Sequence, residues 1–191
     1  HDNICKYLDL PLQHADPLLL KRMNRRGDPE KTRQLLHRAR EMGFTLRTTF
    51  IVGFPGETDE QFAHLMGFVR EIQFDRLGAF TYSPEEDTPA ARMDGQLPEE
   101  IKQKRLDELM TAQQTFSLER NRLRIGTEEK VLVETVDGKG HGVGRSAQEA
   151  PDTDGVIKLT GVSEADLGQF VRARITDAEV YDLRAERIRE D

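Results

Sequence analysis

The sequence predicts an α/β protein with a smaller all-β region behind it, and three observations carry that prediction. Three apolar runs of strand character, near residues 6–12, 46–52 and 77–82, alternate with helical patterns. From about Gly126 the hydrophobic period falls from that of a helix to two. The 191 residues, 36% hydrophobic and 33% charged, have a globular composition and suffice for one medium domain and a small second one.

The first strand ends on Gln13 and His14. Asp16-Pro17 supplies an N-cap and a first-turn proline for a short helix, Leu18 to Met23, which Gly27 ends. Asp28-Pro29 repeats the device and opens a helix with Leu35, Leu36, Ala39 and Met42 on one side, stopped at Gly43. The second strand begins near Leu46 and runs into Gly53-Phe54-Pro55-Gly56. Thr58 and Gln61 have capping-box spacing, and Phe62, Leu65, Met66, Val69 and Ile72 follow at helical spacing. A third strand starts near Arg76. This alternation, with connections of this length, means right-handed parallel crossovers, and so an open α/β sheet or a barrel; three strands are too few to close a barrel. Pro98 to Arg124 reads as one long helix in which Ile101, Leu106, Leu109, Met110, Gln113 and Phe116 give an apolar stripe packed on the sheet. Strands at Lys130–Val136, Gly155–Leu159 and Phe170–Ile175, with Gly-rich turns and no helix, point to a small barrel or sandwich. The boundary is placed near Arg124 to Thr127, which gives regions 1–125 and 126–191, and the charged tail from Arg184 is assigned no structure.

No apolar run approaches the roughly 20 residues of a membrane span. The first residues show no signal peptide and no initiator Met, and they run almost directly into a strand, so the chain reads as a fragment. A single cysteine excludes an internal disulfide framework and fits a reducing, cytoplasmic compartment. The net charge is -7, and residues 126–191 hold 9 Lys and Arg against 15 Asp and Glu, a net of -6. Such a surface repels phosphate and attracts basic partners.

Polar groups collected at one end of parallel strands are where a barrel enzyme keeps its site. Gly53-Phe54-Pro55-Gly56-Glu57 is the sharpest local signal, because two glycines around a proline give a tight bend where backbone approaches a ligand closely; the same composition also serves a plain βα connection. Period two puts Thr49, Ile51 and Gly53 on one strand face and Thr48, Phe50 and Val52 on the other, so one face can border a cavity. Gln13 and His14 suit hydrogen bonds to a ligand's hydroxyls or carboxylate, or the cap of a neighbouring helix. The basic run Lys21 to Arg26, Arg25 included, suits a carboxylate or phosphate, or is a solvated helix end. Glu85, Glu86 and Asp87 suit a cationic substrate or form a solvated loop. Cys5 has no second cysteine or nearby histidine in ligand spacing, so neither a metal site nor a catalytic residue is assigned from these residues. Gly138 to Gly144 superficially matches a dinucleotide loop, yet no helix follows it and a flexible hairpin is expected.

Taken together, YLDLPLQHAD (7–16), LKRMNRRG (20–27), TTFIVGFPGET (48–58) and FTYSPEEDT (80–88) resemble the radical S-adenosylmethionine methylthiotransferases, and GHGVGRSAQEAPDTDG (140–155) resembles a TRAM domain. Gln13-His14 and Met23 to Gly27 are similar to the branch that modifies an aspartate of ribosomal protein S-twelve; the tRNA-modifying branch tends to carry Ser after the Gln and an aromatic residue after the Arg. The acidic C-terminal third agrees with a basic protein substrate.

The resemblance implies the C-terminal half of a partial TIM-like barrel, followed by a small all-β, OB-like TRAM barrel. S-adenosylmethionine would lie across the strand ends, with Gln13 at the ribose, Thr49, Ile51 and Gly53 along the adenine, and Phe80 to Tyr82 beside it. Glu85, Glu86, His14 and Arg25 would face the substrate. The superfamily's Gly-x-Ile-x-Gly-x-x-Glu pattern is altered here, with Thr49 for the first Gly and Glu57 one place late. The family cleaves S-adenosylmethionine reductively on one iron-sulfur cluster, abstracts hydrogen from the aspartate β-carbon with a deoxyadenosyl radical, and delivers the methylthio group from a second cluster, with electrons from a donor protein. Both 4Fe-4S clusters need cysteine thiolates that this chain lacks, so it is expected to be inactive alone. The other readings are part of a tRNA methylthiotransferase, or a non-catalytic module that grips RNA or protein.

Overall fold

Asp16 and Asp28 begin the helices as the sequence predicts. In the computed structural model, which describes residues 4–189, the Asp16 Oδ1 accepts the Leu18 and Leu19 N–H groups at 3.0 and 2.9 Å, and the Asp28 Oδ1 accepts those of Glu30 and Lys31. The elements up to residue 122 are β1 (Tyr7–Gln13), α1 (Pro17–Arg22), α2 (Pro29–Glu41), β2 (Thr45–Val52), α3 (Asp59–Ile72), β3 (Arg76–Thr81) and α4 (Glu99–Arg122). The capping box forms, with Gln61 N–H on Thr58 Oγ1 and Thr58 N–H on Gln61 Oε1. The chain divides into two compact units, residues 8–113 and the described parts of 1–7 with 114–191.

In the first unit the strands lie in the order β1-β2-β3, and β2 and β3 run parallel, with Thr49 opposite Gly78 and Ile51 opposite Phe80. Alternation sorts β2 into a buried face of Thr48, Phe50 and Val52 and a half-buried one of Thr49 and Ile51. Phe50 meets Phe68 and Phe74 edge-on at 6.5 and 6.0 Å, within a core that takes Phe62, Leu65, Met66, Val69 and Ile72 from α3.

Two helix faces differ from the sequence reading. On α2 only Leu36 and Ala39 are buried, while Leu35 and Met42 are about half exposed. A helix that touches its sheet along one line buries a single i, i+3 row, and residues 100° off that row face outward. On α4 the buried row in this unit is Lys102, Arg105, Leu109 and Gln113, and Ile101 of the expected apolar stripe is exposed. The polar members of that row meet acceptors: Lys102 Nζ donates to Tyr82 O, Arg105 to Glu57 O, and the Gln113 amide to Phe74 O at 2.8 Å.

The second unit closes β4 (Glu128–Val136), β5 (His141–Arg145), β6 (Ile157–Thr160), β7 (Phe170–Ala178) and β8 (Leu183–Arg187) into a barrel in the order β4-β5-β6-β8-β7. Val131, Val133, Ile157, Leu159, Val171, Ala173, Ile175, Leu183 and Ala185 fill it. The closed small barrel bears out the all-β reading. The charged tail is corrected, because Leu183–Arg187 is the strand that pairs with both β6 and β7. Its inward residues are only Leu183 and Ala185, between charged outward ones, so the period-two signal is short. The expected hairpin forms between β4 and β5. In β5, a Cβ on Gly142 or Gly144 would stand 2.5 Å from Thr135 O or 2.2 Å from Leu132 O, so the backbone crosses too closely for a side chain.

Candidate functional site: the strand-end rim

Three neighbouring strands end side by side. Tyr82 N–H donates to Val52 O at 2.8 Å, just past the ends of β3 and β2, and the Thr48 hydroxyl donates to Leu10 O at 2.8 Å between β2 and β1. The chain leaves each of the first two strands in a left-handed conformation, with φ 69° at Gln13 and φ 75° at Gly53. Glycine suits the second turn twice over, since a Cβ there would also stand 2.4 Å from the Lys102 side chain.

Of the residues assigned to the cofactor, Gln13 is half-buried with its amide on Pro11 O at 3.3 Å. Thr49 and Ile51 line the half-buried face, Gly53 closes the strand, and Phe80 is 63% exposed opposite Ile51. Tyr82 packs edge-on against Phe54 at 5.2 Å in a cluster with Leu19 and Ile51. Its hydroxyl is buried and has no hydrogen-bond partner among the described residues. Of the residues assigned to substrate, Glu85 and Glu86 are exposed on the loop after β3, and Arg25 is exposed beside a cavity of about 170 Å³ that Arg26 and His14 also line. His14 itself is 2% exposed, and both its ring nitrogens are engaged.

The buried polar centre of this unit is one that sequence reasoning treated only as a spacing. Glu57, 4% exposed, lies 3.2 Å from His14 Nε2 and 3.1 Å from the Arg105 guanidinium, and it accepts the Gly53 N–H. Because His14 Nδ1 accepts the Asp16 N–H at 3.0 Å, Nε2 carries the proton and donates to Glu57. Arg105 also donates to Glu57 O at 3.2 Å and to Asp59 at 2.7 Å, and Lys102 Nζ donates to Tyr82 O at 3.0 Å. The signal available in the sequence was Lys102-x-x-Arg105 in helical phase with Leu109, cations on the row that faces inward. Asp16 is drawn in as well. Burial raises its pKa, but the Leu19 N–H, His64, Gln61 and the Leu18 N–H outweigh that and hold it below the usual carboxylate value.

The barrel unit has its own polar centre. Arg124 holds Glu129 with two donors at 2.9 and 2.7 Å and also holds Glu149, whose other oxygen accepts the Ser146 N–H and hydroxyl. On another side, Arg172, Arg187, Arg189, Asp166 and the 60%-exposed Phe170 line a cleft of about 690 Å³, in which Arg187 holds Asp166 and Arg172 holds Glu128, each at 2.6 Å, with Lys130 Nζ 4.7 Å from the Phe170 ring centre. The acidic total of the sequence therefore does not describe every face of this unit. Among the described residues no group of three or more His, Cys, Asp or Glu is placed to hold a metal ion, and no helix is long and apolar enough to cross a membrane.

Comparison with known proteins gives two family matches, the radical SAM superfamily over residues 1–69 and the TRAM domain over 125–188. Proteins named ribosomal protein uS12 methylthiotransferase RimO align along nearly all of the chain. The one from Syntrophotalea carbinolica is 52% identical over 95% of this chain, that from Geobacter sulfurreducens 50% over 94%, and that from Desulfitobacterium hafniense 46% over 96%. The chain spans 41–42% of the length of these relatives. With a strand-end rim in the unit that carries most of the radical SAM match and a five-stranded barrel in the one that carries the TRAM match, the chain is similar along nearly its whole length to radical SAM methylthiotransferases.

Proposed function

We propose that the chain is the part of a ribosomal protein uS12 methylthiotransferase that holds the adenosyl portion of S-adenosylmethionine and meets the protein substrate, in the cytoplasm. The observation that carries the reading is the rim itself: three adjacent strand ends, with glycine backbone at the central one and an open face of Thr49, Ile51 and Phe80 below it. The buried Tyr82 hydroxyl, without a hydrogen-bond partner among the described residues, marks a polar demand at the same rim, which fits a ligand bearing hydroxyls and ring nitrogens. Thr49 and Ile51 would flank the adenine, Gln13 would reach the ribose, and His14 would act from behind through Glu57. Arg25, Glu85 and Glu86, all exposed, would meet the substrate protein. Bound S-adenosylmethionine would supply, on one-electron reduction and cleavage of its C–S bond with release of methionine, the radical that opens the substrate C–H bond. With one cysteine in 191 residues, the chain does not fit a three-thiolate cluster.

The test uses a full-length enzyme carrying this segment, reconstituted with iron and sulfide and supplied with an electron donor protein, S-adenosylmethionine and uS12. Methylthiolated aspartate by mass spectrometry is the expected product, and its absence with an active donor overturns the reading. This chain alone yields no deoxyadenosine; its appearance overturns the assignment of the chain to the pocket only.

A second reading has one observation in its favour. The arginine-lined cleft with an exposed Phe170 beside Lys130 suits a nucleic-acid strand, phosphates on the guanidiniums and a base on the ring. A full-length enzyme that binds tRNA more tightly than uS12, with affinity falling steeply as salt rises, would favour a tRNA substrate.

A further inference from the structure

Helix α4 lies outside every motif that marks the rim, yet its two buried cations end on the rim's backbone. Lys102 and Arg105, 6% and 5% exposed, sit one turn apart on the same face. The Lys102 stem occupies the space a Gly53 side chain would need, and its ammonium donates to Tyr82 O and lies 5.7 Å from the Tyr82 ring centre. Arg105 covers the Phe62 ring at 5.5 Å and binds Glu57 at both its carboxylate and its carbonyl. Glu57 in turn takes the Gly53 N–H and the His14 ring. From α4, then, a continuous set of bonds reaches the chain just beyond all three strand ends: β2 at Gly53, β3 at Tyr82, and β1 through His14, the residue after Gln13.

We infer that Lys102 and Arg105 are positioning residues for the ligand-holding rim, acting on S-adenosylmethionine through Gly53, Tyr82 and His14 without touching it. The inference rests on the proposed function and deepens it. The physical reason is geometric. A left-handed glycine turn has many accessible conformations, and a ligand that contacts its backbone binds well only where one of them is fixed beforehand. Glu57 fixes the Gly53 N–H, and Arg105 fixes Glu57 in turn, holding its carboxylate at 3.1 Å and its carbonyl at 3.2 Å. Lys102 does the same for the carbonyl at the end of β3. A purely structural role for these cations would show in stability alone; a positioning role shows in ligand affinity even when stability is restored.

The experiment measures S-adenosylmethionine affinity by equilibrium binding, steady-state KM and kcat, and melting temperature in a full-length enzyme carrying this segment. Arg105→Ala is expected to weaken S-adenosylmethionine binding about tenfold to a hundredfold, the range that small displacements of binding groups produce. Most of the change should appear in KM and little in kcat at saturating cofactor, and Arg105→Lys should recover part of it. Lys102→Met keeps the stem over Gly53 and removes the donor to Tyr82 O, and is expected to weaken binding several-fold with an unchanged melting temperature. Because Arg105→Ala leaves Glu57 buried and unpaired and the variant can fail to fold, the double variant Glu57→Gln with Arg105→Met provides the neutral comparison: it should melt near the parent and still bind cofactor weakly. Variants that fold and bind S-adenosylmethionine as the parent does overturn the inference alone. A reconstituted parent that binds no S-adenosylmethionine overturns the proposed function and the inference with it.

Discussion

Both units bury an arginine among carboxylates, and the contrast lies in what the carboxylates do next. In the barrel unit, Arg124 engages Glu129 and Glu149, and Glu149 turns back to the Ser146 N–H and hydroxyl. In the sheet unit, Arg105 engages Glu57, which passes on to the backbone of a left-handed turn and to a histidine beside a strand end. The barrel's strands form a closed ring, while the sheet keeps an open face and two edges. The same ion-pair chemistry therefore serves closure in one place and the shaping of a surface in the other.

The sharpest way to break the comparison is to remove one carboxylate from each network. Glu57→Ala and Glu149→Ala each strand a buried arginine, and each should cost about 3–5 kcal/mol in denaturant unfolding. Only the first should also weaken S-adenosylmethionine binding in the full-length enzyme; equal losses of binding would erase the distinction. Gly142→Ala comes next. Its Cβ meets a backbone carbonyl across a strand pair, and the barrel should lose about 1–3 kcal/mol, the ordinary cost of forced overpacking, read as a lower midpoint in denaturant.

Acid should separate the units further. Burial raises the Glu149 pKa, but the charge and hydrogen bonds of Arg124, with Ser146, outweigh it and hold it below the usual 4.5. A carboxylate lowered in the folded state contributes stability above that usual value and loses it as pH falls through the folded value. Barrel stability should therefore decline below about pH 4.5, as melts at decreasing pH would show, and Glu149→Gln should flatten that limb. Asp16 in the sheet unit follows the same sign below 3.8, with a smaller amplitude because it is partly exposed. The smallest effect belongs to α2. Leu35→Lys and Met42→Lys should each change stability by no more than about 0.5 kcal/mol, since neither side chain packs into the core; a larger loss would mean the face is covered.

The strands, the capped helices and the α3 core were legible because each rests on a local rule: Asp-Pro at a helix start, Thr58 with Gln61, Phe62 to Ile72 at helical spacing. What escaped the sequence depends on the partner surface. Lys102 and Arg105 read as solvated charges until the carbonyls and carboxylates they serve are brought beside them, and Leu35 reads as core until the sheet is seen to touch only its neighbour row. Leu183–Arg187 escaped because only two inward residues, Leu183 and Ala185, carry its pattern. At the rim, the turn glycines were legible from the chain alone, and the group that holds Gly53 was not.

That last strand sets an order of events for the growing polypeptide. β8 pairs in parallel with β6 and antiparallel with β7, so no ring exists until Leu183–Arg187 has been synthesised. While the ribosome is still making that stretch, the β6 and β7 flanks stand open to pairing with other chains, a period in which a chaperone or a pause in translation would matter most.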